Sequence, residues 1–134
     1  MIRLVLDASV ALAWCFEDEA NEYADRVLNS LVEALVPGNW PLEIANSLVL
    51  AQRRKRIEPA NVLRFVRFLA EVPITVDPLT AEKALKETLA IATERNLTAY
   101  DAAYLELAMR EGAQLATLDG DLRRAATEAG VRVI

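Results

Sequence analysis

The chain alternates short apolar runs with longer stretches in which apolar residues return every three or four positions. Ile2–Leu6 is apolar apart from Arg3, the pattern of a strand buried on both faces, and Asp7-Ala8-Ser9 ends it. Helical spacing follows over 10–16 and again over 21–32, where Tyr23, Val27 and Leu31 stand four apart. Leu35-Val36 closes on the turn signal Pro37-Gly38, and Pro41 suits the first turn of a helix reaching Arg56. Pro59 opens another helix, to Glu71. The β-branched Ile74-Thr75-Val76 predicts a strand, Thr80 caps a helix to Arg95, and Asn96-Leu97 breaks it. Thr98 caps a helix over Ala99–Glu111 that Gly112 ends. The remainder reads as a buried strand over 114–118, a short helix over 119–129 and a terminal strand over 131–134. Such alternation predicts an α/β fold, a short parallel sheet of about five strands with helices on both faces and right-handed crossovers. Residues 1–134 form one domain in this reading, with no repeat or linker.

Composition narrows the function. With 134 residues the chain can bury a single core without metal or disulfide staples. Its 54% hydrophobic content is generous, which predicts that some helix faces are covered by a second copy or a partner. A net charge of -5 excludes a broad electrostatic grip on nucleic acid, so any RNA contact must be local. The candidate for it is Arg53-Arg54-Lys55-Arg56, whose simpler role is to offset the negative end of a helix dipole, with Arg64 and Arg67 extending the same basic side. Cys15 is the only cysteine, which excludes an intramolecular disulfide and a multi-cysteine zinc site and makes the cytoplasm the natural compartment. No apolar run approaches the roughly 20 residues of a membrane helix, and the strand-like run beginning at Met1 leaves no signal peptide before it. The chain has no histidine, so Ser-His-Asp, Cys-His and histidine-zinc hydrolysis are all excluded. Any hydrolysis falls to carboxylates.

Four carboxylates stand out because each lies within or at the end of an apolar run: Asp7, Glu43, Asp101 and Asp119. Each has a local alternative. Asp7 and Asp119 can cap the helices that follow them, and Thr98-x-x-Asp101 is a capping box. Glu43 shares a helix side with Asn46 and Ser47, a polar strip that lines a cavity or faces solvent. In an open parallel sheet, however, ligands bind beyond the carboxyl ends of the strands. Asp7 and Asp119 sit at such ends, and Glu43 and Asp101 fall in first turns that can point back over the same edge. Carboxylates gathered out of water need a compensating cation, and a hard divalent ion is the simplest one.

Asp7-Ala8-Ser9-Val10-Ala11-Leu12, Glu43-Ile44-Ala45-Asn46, Thr98-Ala99-Tyr100-Asp101-Ala102-Ala103-Tyr104 and Thr117-Leu118-Asp119 resemble, in order and spacing, PIN-domain nucleases of the VapC toxin type over nearly the whole chain. The resemblance implies a PIN-like fold and a Mg²⁺-dependent endoribonuclease in which Mn²⁺ can substitute. Such toxins are dimeric and are inhibited by a small VapB-type antitoxin. It also implies that Asp7, Glu43, Asp101 and Asp119 form the acidic set, with Asp121 as a fifth acid in some relatives and Ser9, Asn46 and Thr98 in support. Two other classes stay open. One is a catalytically silent PIN-like module that binds RNA or protein, with the acids as caps. The other, a phospho-acceptor receiver domain, lacks an acceptor aspartate after a central strand and a late lysine.

Overall fold

The computed structural model describes residues 2–16 and 21–134, the side chain of Ile2 excepted, so Met1 lies outside the described residues. The elements are β1 (Ile2–Leu6), α1 (Ala8–Ala13), α2 (Glu22–Ser30), β2 (Leu31–Val36), α3 (Trp40–Arg53) and α4 (Pro59–Glu71). After them come β3 (Ile74–Val76), α5 (Thr80–Lys83), α6 (Leu89–Arg95), α7 (Ala99–Glu111), β4 (Gln114–Ala116) and α8 (Gly120–Glu128). The strands form one parallel sheet in the order β3-β2-β1-β4. The α/β expectation is met with four strands. The fifth is reduced to a single parallel bridge, Leu115 to Val133, held by Leu115 N–H to Arg132 O at 2.9 Å and Ile134 N–H to Leu115 O at 3.1 Å.

β1 anchors the core. Leu4, Val5 and Leu6 point alternately to opposite faces and all three are fully buried, so helices cover both sides of the sheet. Burying each such side chain contributes about 1.5–3 kcal/mol, a reserve against the repulsion of acids placed at the edge. α7 is buried throughout Ala102–Ala108 and packs on β1, which brings its first turn to the same end of the sheet as Asp7. Among the described residues no helix is long and apolar enough to cross a membrane.

Several boundaries differ from the sequence expectation: the helical segment expected over 10–16 is Ala8–Ala13, and the strand expected over 114–118 ends at Ala116. The helix expected over 21–32 ends at Ser30, because Leu31 already pairs with Ile2 and continues into β2 between β1 and β3. Strand pairing overrides the four-residue spacing that ended on Leu31. The helix expected to reach Arg56 stops at Arg53, where Arg54 caps it and Lys55 turns left-handed with φ 57°. The single helix expected from Thr80 to Arg95 is interrupted by a π-helical turn, Ala84–Thr88, in which Lys86 leaves helical geometry. Nor does Thr80 cap its own helix. Its hydroxyl accepts from Gly38 N–H at 2.8 Å and donates to Asp77 at 3.1 Å, tying this segment to the turn before α3.

An acidic cleft at the strand ends

Asp7 N–H donates to Ala116 O at 3.0 Å, which carries the β1–β4 ladder one step past the strands and sets Asp7 beside the 117–119 loop. Asp7 occupies the N-cap position of α1 but makes no side-chain capping bond. Its Oδ2 instead accepts from two hydroxyls, Ser9 Oγ and Thr117 Oγ1, each at 2.7 Å. Each hydroxyl in turn accepts a loop amide: Leu118 N–H reaches Ser9 Oγ and Asp119 N–H reaches Thr117 Oγ1, both at 3.0 Å. Two parallel amide–hydroxyl–carboxylate links thus brace the end of β4 against the end of β1. Arg123 fixes the same loop from outside, donating to Thr117 O at 2.8 Å.

The other acids arrive from helices. Asp119 Oδ2 accepts from Leu122 N–H at 2.8 Å, so it caps α8 while facing the site. Glu43, in the first turn of α3, accepts on Oε2 from Asn39 Nδ2 at 2.6 Å and from the Tyr104 hydroxyl at 2.9 Å. Asp101 is held by its backbone, which donates to Thr98 Oγ1 at 3.1 Å, the capping arrangement read from the sequence. All four carboxylates line one cleft of about 330 Å³, together with Ala8, Ser9, Leu12, Asn46 and Ser47. Thr98 stands behind Asp101. Asp121 is outside the lining, exposed and 3.7 Å from Arg124. Arg53, Arg54, Lys55 and Arg56 lie at and just past the C-terminal end of α3 and do not line the cleft.

Electrostatically the cleft is one-sided, since its described lining residues include no lysine or arginine. Burial pushes the Asp7 carboxyl up, with the Asp119 charge adding, against hydrogen bonds from Ser9 and Thr117. Glu43 is also raised, first by burial and then by Asp7 and Asp101, against Tyr104 and Asn39. Asp101 is pushed up to about 6 by burial and by the charges of Asp119 and Asp7. Burial and the charges of Asp7 and Glu43 raise Tyr104, which keeps its proton and remains a donor. The arrangement is open: among the described residues no three acid or thiol side chains close into a cage.

A model of the PIN domain matches residues 4–128. The chain belongs to the PIN-domain family. Ribonuclease VapC3 of Pyrobaculum aerophilum is 31% identical over 121 residues, covering 90% of this chain and 92% of that protein. The crystal structure of PAE2754 from Pyrobaculum aerophilum superposes with a TM-score of 0.70 at 25% identity, over 92% of this chain and 84% of that one. These matches bear out the VapC-type PIN resemblance drawn from the four sequence segments.

In this PIN domain the sequence reading missed the side chains that hold the acids. Thr117 is a β-branched residue at a strand end, where packing alone explains it. Tyr104 lies in an alanine- and leucine-rich helix and reads as core, and it is fully buried. Asn39 sits in the turn before Trp40-Pro41, and its spacing of four from Glu43 was the one available signal. Ser47 had been placed beside Glu43 by helical periodicity, and it does line the cleft.

Proposed function

We propose that this PIN domain, taken as one unit over residues 1–134, is a divalent-metal-dependent endoribonuclease and the toxin of a type II toxin–antitoxin module. It hydrolyses RNA phosphodiester bonds in the cytoplasm, forms a homodimer, and is held inactive by a VapB-type antitoxin. The observation that carries the reading is the convergence of Asp7, Glu43, Asp101 and Asp119 on one cleft with no cation in its lining. The name of the Pyrobaculum relative supports RNA as the substrate.

The donor set fits Mg²⁺ or Mn²⁺. All ligating atoms in the lining are hard oxygens, and an open cleft without a closed protein cage suits an ion that retains waters and takes one or two carboxylates plus a substrate phosphate. Asp7, Glu43, Asp101 and Asp119 would hold it between them, directly or through its retained waters, and when bound it would lower the pKa of a water and offset charge on the phosphoryl oxygens. The chain's own part is positional. Ser9 and Thr117 fix one oxygen of Asp7, Asn39 and Tyr104 fix one oxygen of Glu43, and the helix cap orients Asp119. Asn46 and Ser47 add neutral hydrogen-bonding groups on the α3 side, suited to a ribose or phosphate oxygen.

RNA cleavage by wild type and Asp7→Asn in Mn²⁺ tests the proposal. Wild type should cut and the variant should lose activity by orders of magnitude. Equal cutting would remove the cleft from the chemistry, and no cutting by antitoxin-free wild type would favour a silent binding module.

A further inference from the structure

α1 and α3 run away from the acidic cleft to a second cleft of about 540 Å³, whose described lining residues carry the opposite net charge. Trp14, Phe65 and Phe68 line it beside Lys55 and Arg64, and Glu58 is the only carboxylate among its described lining residues. The rings form a continuous wall: Trp14 meets Phe68 edge to face at 6.1 Å, and Phe68 stacks on Phe65 at 6.2 Å. The Trp14 indole N–H donates to Ala24 O at 2.8 Å, which fixes that ring, while Phe68 is 37% exposed. A fixed aromatic wall with an exposed face is a stacking platform.

The charge around it is concentrated. Six of the chain's 15 lysines and arginines fall within residues 53–67, where Glu58 is the single acid. This segment supplies the local cationic grip that a net charge of -5 denies to the molecule as a whole. Ser47 lines the acidic cleft and Lys55 the basic one, a separation of about 12 Å at the rise of a helix, within reach of one short strand.

We propose that the basic, aromatic cleft is a subsite for single-stranded RNA flanking the bond to be cut, with Phe68 and Trp14 stacking a nucleobase and Lys55 and Arg64 contacting phosphates. A duplex keeps its bases stacked inside and offers none to such a wall. The proposal takes the identity of the polymer from the ribonuclease reading, but it concerns binding, which is measurable without cleavage.

The test is fluorescence anisotropy of a labelled single-stranded RNA octanucleotide in EDTA, with wild type, Lys55→Gln/Arg64→Gln and Phe68→Leu. The charge variant should weaken binding and reduce the slope of log affinity against log salt by about 1.4, roughly 0.7 for each cation removed from a single strand. Phe68→Leu should weaken the octanucleotide about tenfold but leave an abasic strand of equal length unaffected. Circular dichroism should show both variants folded, since all three positions are solvent-accessible. Unchanged affinity and salt slope would overturn the subsite. A poly-glutamate peptide that binds as tightly as RNA and displaces it would also overturn it, assigning the cleft to an acidic protein segment. Because no cleavage enters the readout, failure of the ribonuclease reading shows separately, as RNA that is bound but never cut.

Discussion

The Tyr104 hydroxyl donates to Glu43 Oε2 at 2.9 Å across 61 residues of sequence, joining the buried face of α7 to the first turn of α3. Asn39 donates to the same oxygen at 2.6 Å, so the carboxylate is held from two sides. Supporting groups of this kind typically carry roughly tenfold to a hundredfold of metal affinity or activity. Tyr104→Phe and Asn39→Ala should each weaken Mn²⁺ binding and RNA cleavage by a factor in that range. The loss of folding stability should be only about 1 kcal/mol for the hydrogen bond removed. Mn²⁺ titration by calorimetry beside a thermal melt separates the two effects. A large drop in melting temperature with unchanged Mn²⁺ affinity would make both residues merely structural.

Thr117 carries more than one bond. Its hydroxyl donates to Asp7 and accepts from Asp119 N–H, and the side chain is fully buried. Thr117→Val keeps the shape and removes both links, taking one donor from the buried Asp7 carboxylate and the acceptor from the half-buried Asp119 amide, at a cost of about 1–3 kcal/mol. The variant should melt lower and cut RNA more slowly. Ser9→Ala removes the parallel link at a half-buried position and should show the same pattern with a smaller stability loss. A cleavage assay and a melt on both variants check the order, and equal behaviour to wild type in Thr117→Val would dismiss the brace.

These residues show what a sequence can and cannot reveal about such a site. Asp7, Asp101 and Asp119 were legible because an acid beside an apolar run is costly without compensation, and the strand–helix alternation placed them at one edge. Their partners were not, because Thr117, Tyr104 and Asn39 are each explained locally by strand, core and turn. Capping and lining the cleft are not alternatives: Asp119 does both, whereas Asp7 holds a cap position without capping. β2 was partly hidden because Leu31 and Val32 satisfy helical spacing as well as a strand, and only pairing with β1 decides between them. The π-helical turn at Ala84–Thr88 left no mark in the periodicity of apolar positions.

The acidic cleft makes the metal-free protein pH-sensitive. Asp7, Glu43 and Asp101 all have carboxyls raised in the fold, Asp101 to about 6 from an ordinary 3.8. A raised carboxyl binds its proton more tightly when folded, so its stabilising contribution is complete below the ordinary value and disappears as pH rises through the folded one. Metal-free protein should therefore melt higher at pH 5 than at pH 7. Mn²⁺ at pH 7 should recover stability by offsetting the same repulsion. Asp101→Asn removes one of the repelling charges and should raise the metal-free melting temperature at pH 7 by a few degrees while abolishing most of the Mn²⁺ effect. Asp101 is half-exposed, so solvent screening keeps this gain small. A melt of metal-free wild type that falls between pH 7 and pH 5 would contradict the account.

Away from the cleft, a second ionic cluster has the opposite pH dependence. Arg110 donates to both oxygens of Asp77, at 3.1 and 2.7 Å, and to both oxygens of Glu106, at 2.9 Å each. The two acid side chains are only 6% and 7% exposed. Burial alone would raise the Asp77 carboxyl, but the Arg110 hydrogen bonds and charge outweigh it and hold Asp77 below its ordinary 3.8. Stability from this pair is present above that value and is lost as pH falls through the lower folded one, so it governs acid unfolding. Removing the guanidinium leaves two nearly buried carboxylates without their cation, which costs about 3–5 kcal/mol. Arg110→Ala should therefore melt lower at pH 7 by on the order of 10 °C. Its pH dependence should also steepen, because an unpaired buried Asp77 is raised, so the metal-free variant gains stability on moving from pH 7 toward pH 5 by more than wild type does. Thermal melts of both proteins across that range decide the point. An Arg110→Ala protein that tracks wild type at every pH would show that the cluster contributes no net stability.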